Sequence, residues 1–328
     1  MRHARLATLA LAVLAAPTLA FAQAKADAAK DFPQRPIRLL VPNAPGSSVD
    51  TLSRIVAAYL SQVAGQQVVV DNRAGAGGII GMEIAKTAAP DGYTMIAATT
   101  AASTIAIHLM KKPPFDPVKD YDYVVQFAET PNVLVVNPGL PIKSVKDLIE
   151  FTKAKQGQVN MASAGSGAQS HLSGAYFMME AHIQSVHIPY KGGGASVAAV
   201  MANESQWTIT PAPAVMSQVN AGRLRAIGHS LPKPSPLLPN IPPIAETIPG
   251  FDYSGWQGFF LPKGTPKAIN DKLRAMTEKT MALPEVQKQM HVQATEIVIR
   301  GPEEFRKVVA NSVIQNGKVV KAVGLKVE

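Results

Sequence analysis

Four stretches rich in glycine, hydroxyl and amide side chains follow apolar runs and precede helix-like patterns. The first is Val41-Pro42-Asn43-Ala44-Pro45-Gly46-Ser47-Ser48-Val49-Asp50. Its small residues let backbone N–H groups approach a ligand, and Ser47, Ser48 and Asp50 can cap a helix whose N-terminus attracts anions. A plain strand–helix turn explains this one motif equally well. The second is Asp71-Asn72-Arg73-Ala74-Gly75-Ala76-Gly77-Gly78. Gly75, Gly77 and Gly81 imitate a dinucleotide fingerprint, but the next strand runs out at Ala98-Thr99-Thr100 without a ribose-binding acid. An anion-cradling loop without a nucleotide fits better, and no G-x-x-x-x-G-K-[ST] occurs. The third is Ser163-Ala164-Gly165-Ser166-Gly167-Ala168-Gln169-Ser170, and the fourth His187-Ile188-Pro189-Tyr190-Lys191-Gly192-Gly193-Gly194. Lys191 could bring a cation to a cleft or stand in solvent.

Catalytic patterns are poor. Ser166 has glycine neighbours at the wrong spacing for a nucleophile elbow. His171, His182 and His187 lie close in sequence, but there is no H-E-x-x-H, and they read as helix-face or core histidines without a metal. The chain has no cysteine, which excludes disulfides, thiolate metal sites and a cysteine nucleophile. Trp207 and Trp256 read as core or cleft wall, because no basic residues interleave with them as nucleic-acid binding would need.

These loops need strands before them and helices after them. Apolar runs predict strands over 36–41, 67–70, 93–97, 132–136, 159–162, 186–188, 207–210, 224–227 and 251–260. Helical periodicity and caps predict helices over 50–63, 79–88, 144–155, 170–180, 195–202 and 214–220. Three more, over 266–281, 284–290 and 302–320, each start at a proline. The segment 232–249 is too proline-rich for regular structure. Alternation of this kind implies an α/β fold with mostly parallel sheets, in which ligands sit at the carboxyl ends of strands. Two lobes with a cleft between them are expected: 23–125 with 226–328, and an inserted lobe over 126–225.

Residues 1–22 carry the marks of a cleaved secretory signal: Arg2 and Arg5, an apolar stretch from Leu6 to Leu19, and Ala20-Phe21-Ala22 before Gln23. The 328-residue chain is 47% hydrophobic and 17% charged, ordinary for a globular protein. Its net charge of +9 favours anionic partners but is too dispersed to indicate nucleic acid. Export lowers the prior for ATP- or NAD-dependent chemistry, so no cofactor is expected.

In order, the motifs resemble one family, the substrate-binding receptors of tripartite tricarboxylate transporters (the Bug type). The resemblance runs from Phe32-Pro33-x-Arg35-Pro36-Ile37-Arg38 and Val41-Pro42-x-Ala44-Pro45-Gly46 to Asn72-Arg73-x-Gly75-Ala76-Gly77-Gly78 and Pro90-Asp91-Gly92-Tyr93-Thr94. It continues through Ser163-x-Gly165-x-Gly167 with His171-Leu172, Pro189-Tyr190-Lys191-Gly192, Ala221-Gly222-Arg223-Leu224, Trp256-x-Gly258 and Pro262-x-Gly264-Thr265-Pro266. It implies a two-lobed, type II Venus-flytrap periplasmic receptor, monomeric and non-catalytic, that hands a small carboxylate to membrane transporter subunits. The implied binding residues are Asn43, Ala44, Gly46, Ser47, Ser48, Ala74 and Gly75 in one lobe, and Ser163, Ser166, Gly167, Ala168, Gln169 and Thr210 in the other. Where such receptors carry acids, this chain has Ser205-Gln206 and Thr210, which disfavours an amino acid and leaves a di- or tricarboxylate or an aromatic acid. Asn43 stands where an aromatic is common and makes the cleft entrance more polar. A receptor that signals to a membrane partner, or a secreted hydrolase using Ser166 or Ser47, are the alternatives.

Overall fold

The computed structural model describes residues 30–322, 324 and 325. The expected signal, 1–22, lies outside them. The first sheet has six strands in the order β11-β4-β10-β3-β1-β2. These are β1 (Ile37–Val41), β2 (Val68–Asn72), β3 (Thr94–Thr99), β4 (Tyr121–Thr130), β10 (Gly255–Pro262) and β11 (Glu296–Arg300). The second has five, in the order β7-β6-β8-β5-β9: β5 (Asn132–Val136), β6 (Asn160–Ser163), β7 (Val186–Pro189), β8 (Trp207–Pro211) and β9 (Arg225–His229).

Each sheet is buried on both faces. Leu39 and Val41 of β1 point to one core, beside Leu52, Val56 and Leu60 of α1 (Ser48–Ala64) and Leu273 of α7 (Lys267–Met281). Leu40 points to the other, with Met82 of α2 (Ile79–Thr87) and Phe305 and Val309 of α9 (Pro302–Ala322). In the second lobe Leu134 and Val136 of β5 face Leu148 of α3 (Val145–Ala154) and Phe177 of α4 (Gln169–Glu180). Val133 and Val135 face Val197 and Val200 of α5 (Gly193–Met201) and Met216 of α6 (Met216–Asn220). This double burial explains why the strands read as apolar runs without alternation.

Three expectations change. The sheets are mixed rather than mostly parallel: β1 runs parallel to β2 and β3, but β10 is antiparallel to β3 and β4, and β5 to β8 and β9. The antiparallel strands are those that carry the chain into and out of the second lobe. β4 and β11 have no counterpart among the predicted strands. The lobe boundaries at 125/126 and 225/226 fall inside β4 and at the start of β9. The chain passes to the second sheet at Pro131 and does not return until Gly255, since Ile244, Ile248, Phe251 and Tyr253 still pack in the second core. The proline-rich segment is irregular except for one 3₁₀ turn, Ile244–Glu246, and the strand expected over 251–260 is β10, starting four residues later. A short α8 (Pro284–Val292) lies against α1.

The passage between lobes is tied down. Asn132 takes a backbone N–H bond to Ser230 Oγ at 2.9 Å and donates its amide to the Tyr253 carbonyl. Asn316 of α9 accepts from Tyr253 Oη at 3.0 Å and donates to Thr104 Oγ1 at 3.0 Å, so the last helix spans both lobes.

Candidate functional site

β1 and β6 each end in a loop that turns into a helix, α1 and α4, and the two turns repeat one another. Gly46 (φ +76°) and Gly167 (φ +77°) both sit in the left-handed region that glycine tolerates. The next residue is the helix N-cap in extended conformation: Ser47 at φ −74°, ψ 161° and Ala168 at φ −68°, ψ 159°. Four residues after each glycine, a side chain reaches back to its N–H. Gly46 donates to Asp50 Oδ2 at 2.9 Å, and Gly167 to His171 Nδ1 at 3.1 Å.

The supports differ. Ser47 Oγ caps α1 by accepting from Asp50 N, whereas Ala168 offers α4 no side-chain cap. Asp50 is buried, and burial alone would raise its pKa. Hydrogen bonds from Arg54, the Gly46 N–H and Asn72, with the Arg54 charge, outweigh that and hold it below the usual carboxylate value. His171 is pushed down to about 4, by burial first and by the neighbouring His187 second. The two imidazoles stack, with centroids 3.8 Å apart and planes within 6°.

In both turns two backbone N–H groups remain without a partner among the described residues: those of Ser48 and Val49, and of Gln169 and Ser170. All four residues line one cavity of about 70 Å³ between the lobes. Holding one water takes roughly 10–15 Å³, so the space suits several waters or a small acid. Its remaining wall comes from Asn43, Thr99, Thr100, Thr130, Thr210 and Trp256, with Gln257 and small residues. Among the described residues no charged side chain lines it. Gln169 Nε2, Gln257 Oε1 and Asn43 Oδ1 are buried without a hydrogen-bond partner, and Gln169 and Gln257 are 8% and 3% exposed. Buried polar atoms are nearly always paired, so these three are suited to hydrogen-bond a polar ligand or water.

Of the residues singled out in the sequence, Asn43, Ser47, Ser48, Ala168, Gln169 and Thr210 line this cavity. Ala44, Gly46, Ala74, Gly75, Ser163, Ser166 and Gly167 do not. Gly46 and Gly167 shape the turns. Ala44 meets Gly192 of the other lobe, where an added Cβ would come within 2.8 Å of it. Ala74 is exposed, and a Cβ on Gly75 would run into Ile80. Ser166 is exposed, with its carbonyl facing Gly77 at the rim. Lys191 stands exposed outside the cavity. Of the positions lacking acids, only Thr210 reaches the cavity, while Ser205 and Gln206 hold Tyr190 and the Asn160 N–H. Thr99, Thr100, Thr130 and Gln257 were missed. Thr99-Thr100 stood in the sequence as a polar pair at a strand end, and nothing signalled Thr130 or Gln257, which β4 and β10 bring in. Trp256 forms cleft wall and Trp207 core.

Ser163, not Ser166 or Ser47, meets a histidine: its Oγ lies 2.6 Å from His187 Nε2. The hydroxyl is fully buried and also touches the loop's own Gly165. No carboxylate acts on His187. A nucleophile needs access and an oriented base, so this pair serves the loop. Among the described residues there is no group of three metal-ligating side chains, and no helix is long and apolar enough to cross a membrane.

A family model described as tripartite tricarboxylate transporter family receptor matches residues 52–325. The chain belongs to this family. BugT of Bordetella pertussis is 33% identical over 302 residues, covering 92% of this chain and 93% of its own. Two solved structures from Rhodopseudomonas palustris are also similar. Rpa4515 with adipate is 28% identical with a TM-score of 0.87, covering 90% of this chain and 99% of that one. MatC with bound malate is 25% identical with a TM-score of 0.83, covering 88% and 100%. The receptor is therefore a two-lobed periplasmic-binding-protein fold, as the sequence motifs implied.

Proposed function

We propose that this receptor captures a small carboxylate lacking an amine in the cavity between its lobes. It then presents the acid, as a monomer outside the cytoplasmic membrane, to membrane subunits of a tripartite tricarboxylate transporter. The lobes are taken as 30–130 with 254–322, and 131–253. The observation that carries the reading is the pair of facing helix starts, whose four free N–H groups line a cavity without charged side chains. Each helix N-terminus presents roughly half a positive charge. Two of them match an anion with a carboxylate at either end, so a small dicarboxylate fits best. An ammonium would find no counter-charge there. Adipate and malate, the acids of the two R. palustris structures, are both dicarboxylates. The protein takes the ligand without altering it.

The test is a thermal-shift panel of dicarboxylates, citrate, aromatic acids, monocarboxylates and amino acids against the chain from Gln23. A ligand at about 100 times its Kd stabilises by about 2.7 kcal/mol, and Tm should rise by several degrees. Dicarboxylates are expected to shift Tm and amino acids not. A shift confined to amino acids, or none with any acid, overturns the reading.

A further inference from the structure

His171 and His187 belong to none of the cavity's walls, yet both hold the loop that does. The Gly167 N–H donates to His171 Nδ1 at 3.1 Å, so that ring carries its proton on Nε2 and Nδ1 must stay bare. His187 Nε2 meets Ser163 Oγ at 2.6 Å, at the loop's other end. Between these anchors lie Ala164 to Ala168, and Gln169 and Ser170 follow at the start of α4. The rings stack at 3.8 Å, too close for both to be charged.

The titratable groups around the pair offer no counter-charge. On α4 they are Tyr176 and Glu180, five and nine residues from His171, and His182 follows the helix. β6 and β8 carry none, and β7 has only His187. The next loop brings Tyr190, bonded to Ser205, and the exposed Lys191. α9, which touches α4, brings Lys318 and Lys321 near its end, and the first lobe's turn against Gly167 brings His108, bonded to the Val313 carbonyl. No carboxylate acts on either ring.

We infer that the stacked imidazoles make the second-lobe half of the carboxylate site acid-labile: a proton taken up on His171 Nδ1 ends its bond with Gly167 and loosens the loop's grip on the ligand. The proton comes from solvent and no other bond changes. Burial holds both histidines below the ordinary imidazole value, which sets the window below about pH 6.5. The inference rests on the carboxylate reading for its consequence, but the device lies within one lobe and exists without ligand.

The test follows the Gly167 amide by ¹H–¹⁵N NMR from pH 7.5 to 4 in the ligand-free protein and in His171→Asn, whose Oδ1 can accept without taking up a proton. The Gly167 resonance should titrate in the parent and stay fixed in the variant. His187→Gln, which keeps a hydrogen-bonding partner for Ser163 but removes the second ring, should raise the apparent pKa of that titration. Calorimetry with malate and adipate supplies the functional arm, since ligand ionisation affects parent and variant alike. Between pH 7.5 and 4, affinity should fall about twofold further in the parent than in His171→Asn, the factor one proton with a pKa of about 4 gives at that pH, with the gap widening at lower pH. A Gly167 resonance that does not titrate, or one that titrates while both proteins lose affinity in parallel, overturns the inference. If neither acid binds at pH 7.5, the dicarboxylate reading fails, and the Gly167 titration alone decides whether the imidazoles act as stated.

Discussion

The two turns that face each other across the cleft share a backbone and differ in what props it. In the first lobe a buried carboxylate, Asp50, gathers the Gly46 N–H, Asn72 and Arg54, and Ser47 caps the helix. In the second a neutral imidazole, His171, takes the Gly167 N–H, stacks on His187 and leaves the helix uncapped. Both arrangements leave two N–H groups free for a ligand. The first is held below the ordinary carboxylate value and so keeps its charge in mild acid. The second is held by an imidazole that burial and its neighbour push down to about 4, so it gives way in acid that leaves the first untouched. The same loop geometry can therefore be rigid in one lobe and conditional in the other.

The largest effect should come from removing the charged prop. Asp50→Ala deletes hydrogen bonds to an ionised group and leaves the Gly46 N–H and one of the two Asn72 amide N–H groups without partners, at a cost of about 3 kcal/mol. Chemical denaturation should show that loss, and His171→Ala should cost less than half as much. Equal losses would mean that the charge contributes nothing beyond a neutral acceptor.

Acid should reverse that ranking. A buried imidazole with a depressed pKa is neutral when folded but takes up a proton when unfolded, so its contribution is complete well above pH 6.5. It is lost progressively as pH falls from about 6.5 to about 4. Asp50 also has a lowered pKa, and its contribution is lost only below the ordinary carboxylate value. Between pH 7.5 and 4.5 the parent should lose about 2 kcal/mol more than His171→Asn, by the conversion of 1.36 kcal/mol per pKa unit. Asp50→Ala should lose as much as the parent over that range. A parent and His171→Asn with the same pH dependence would erase the contrast between the lobes.

The smallest effect concerns the caps. Ser47→Ala should cost about 1 kcal/mol, and Ala168→Ser, which gives α4 the hydroxyl α1 already has, should gain about 0.5 kcal/mol. Equilibrium unfolding of both, with unchanged binding for Ser47→Ala, would sharpen the view that capping and ligand amides are separate donors. A stability loss in Ala168→Ser would show that the second turn has no room for a cap.

Much of the site was legible because its parts are local. A strand end, a glycine with φ near +76° and a run of small polar residues lie within ten consecutive positions, so Ser47, Ser48, Ala168 and Gln169 could be found from spacing. Thr130 and Gln257 could not. They sit on β4 and β10, antiparallel neighbours 127 residues apart in sequence, and only strand pairing brings them to the cavity. The ring pair escaped for a related reason. His171 and His187 are on a helix and a strand, and their sequence spacing says nothing about a 3.8 Å stack.

By itself the sequence determined the α/β class, most strands and helices, the donor-rich turns and the membership of the family. Those features rest on hydrophobic periodicity, caps and glycines, interactions that span a few residues. Tertiary structure alone decided where one lobe ends, which loop residues reach the cavity and which merely shape it, and which side chain supports each turn. These are matters of long-range strand pairing and of desolvation. Asp50 and His171 occupy the same place in the two turns, and the groups packed around them favour the charged form of one and the neutral form of the other.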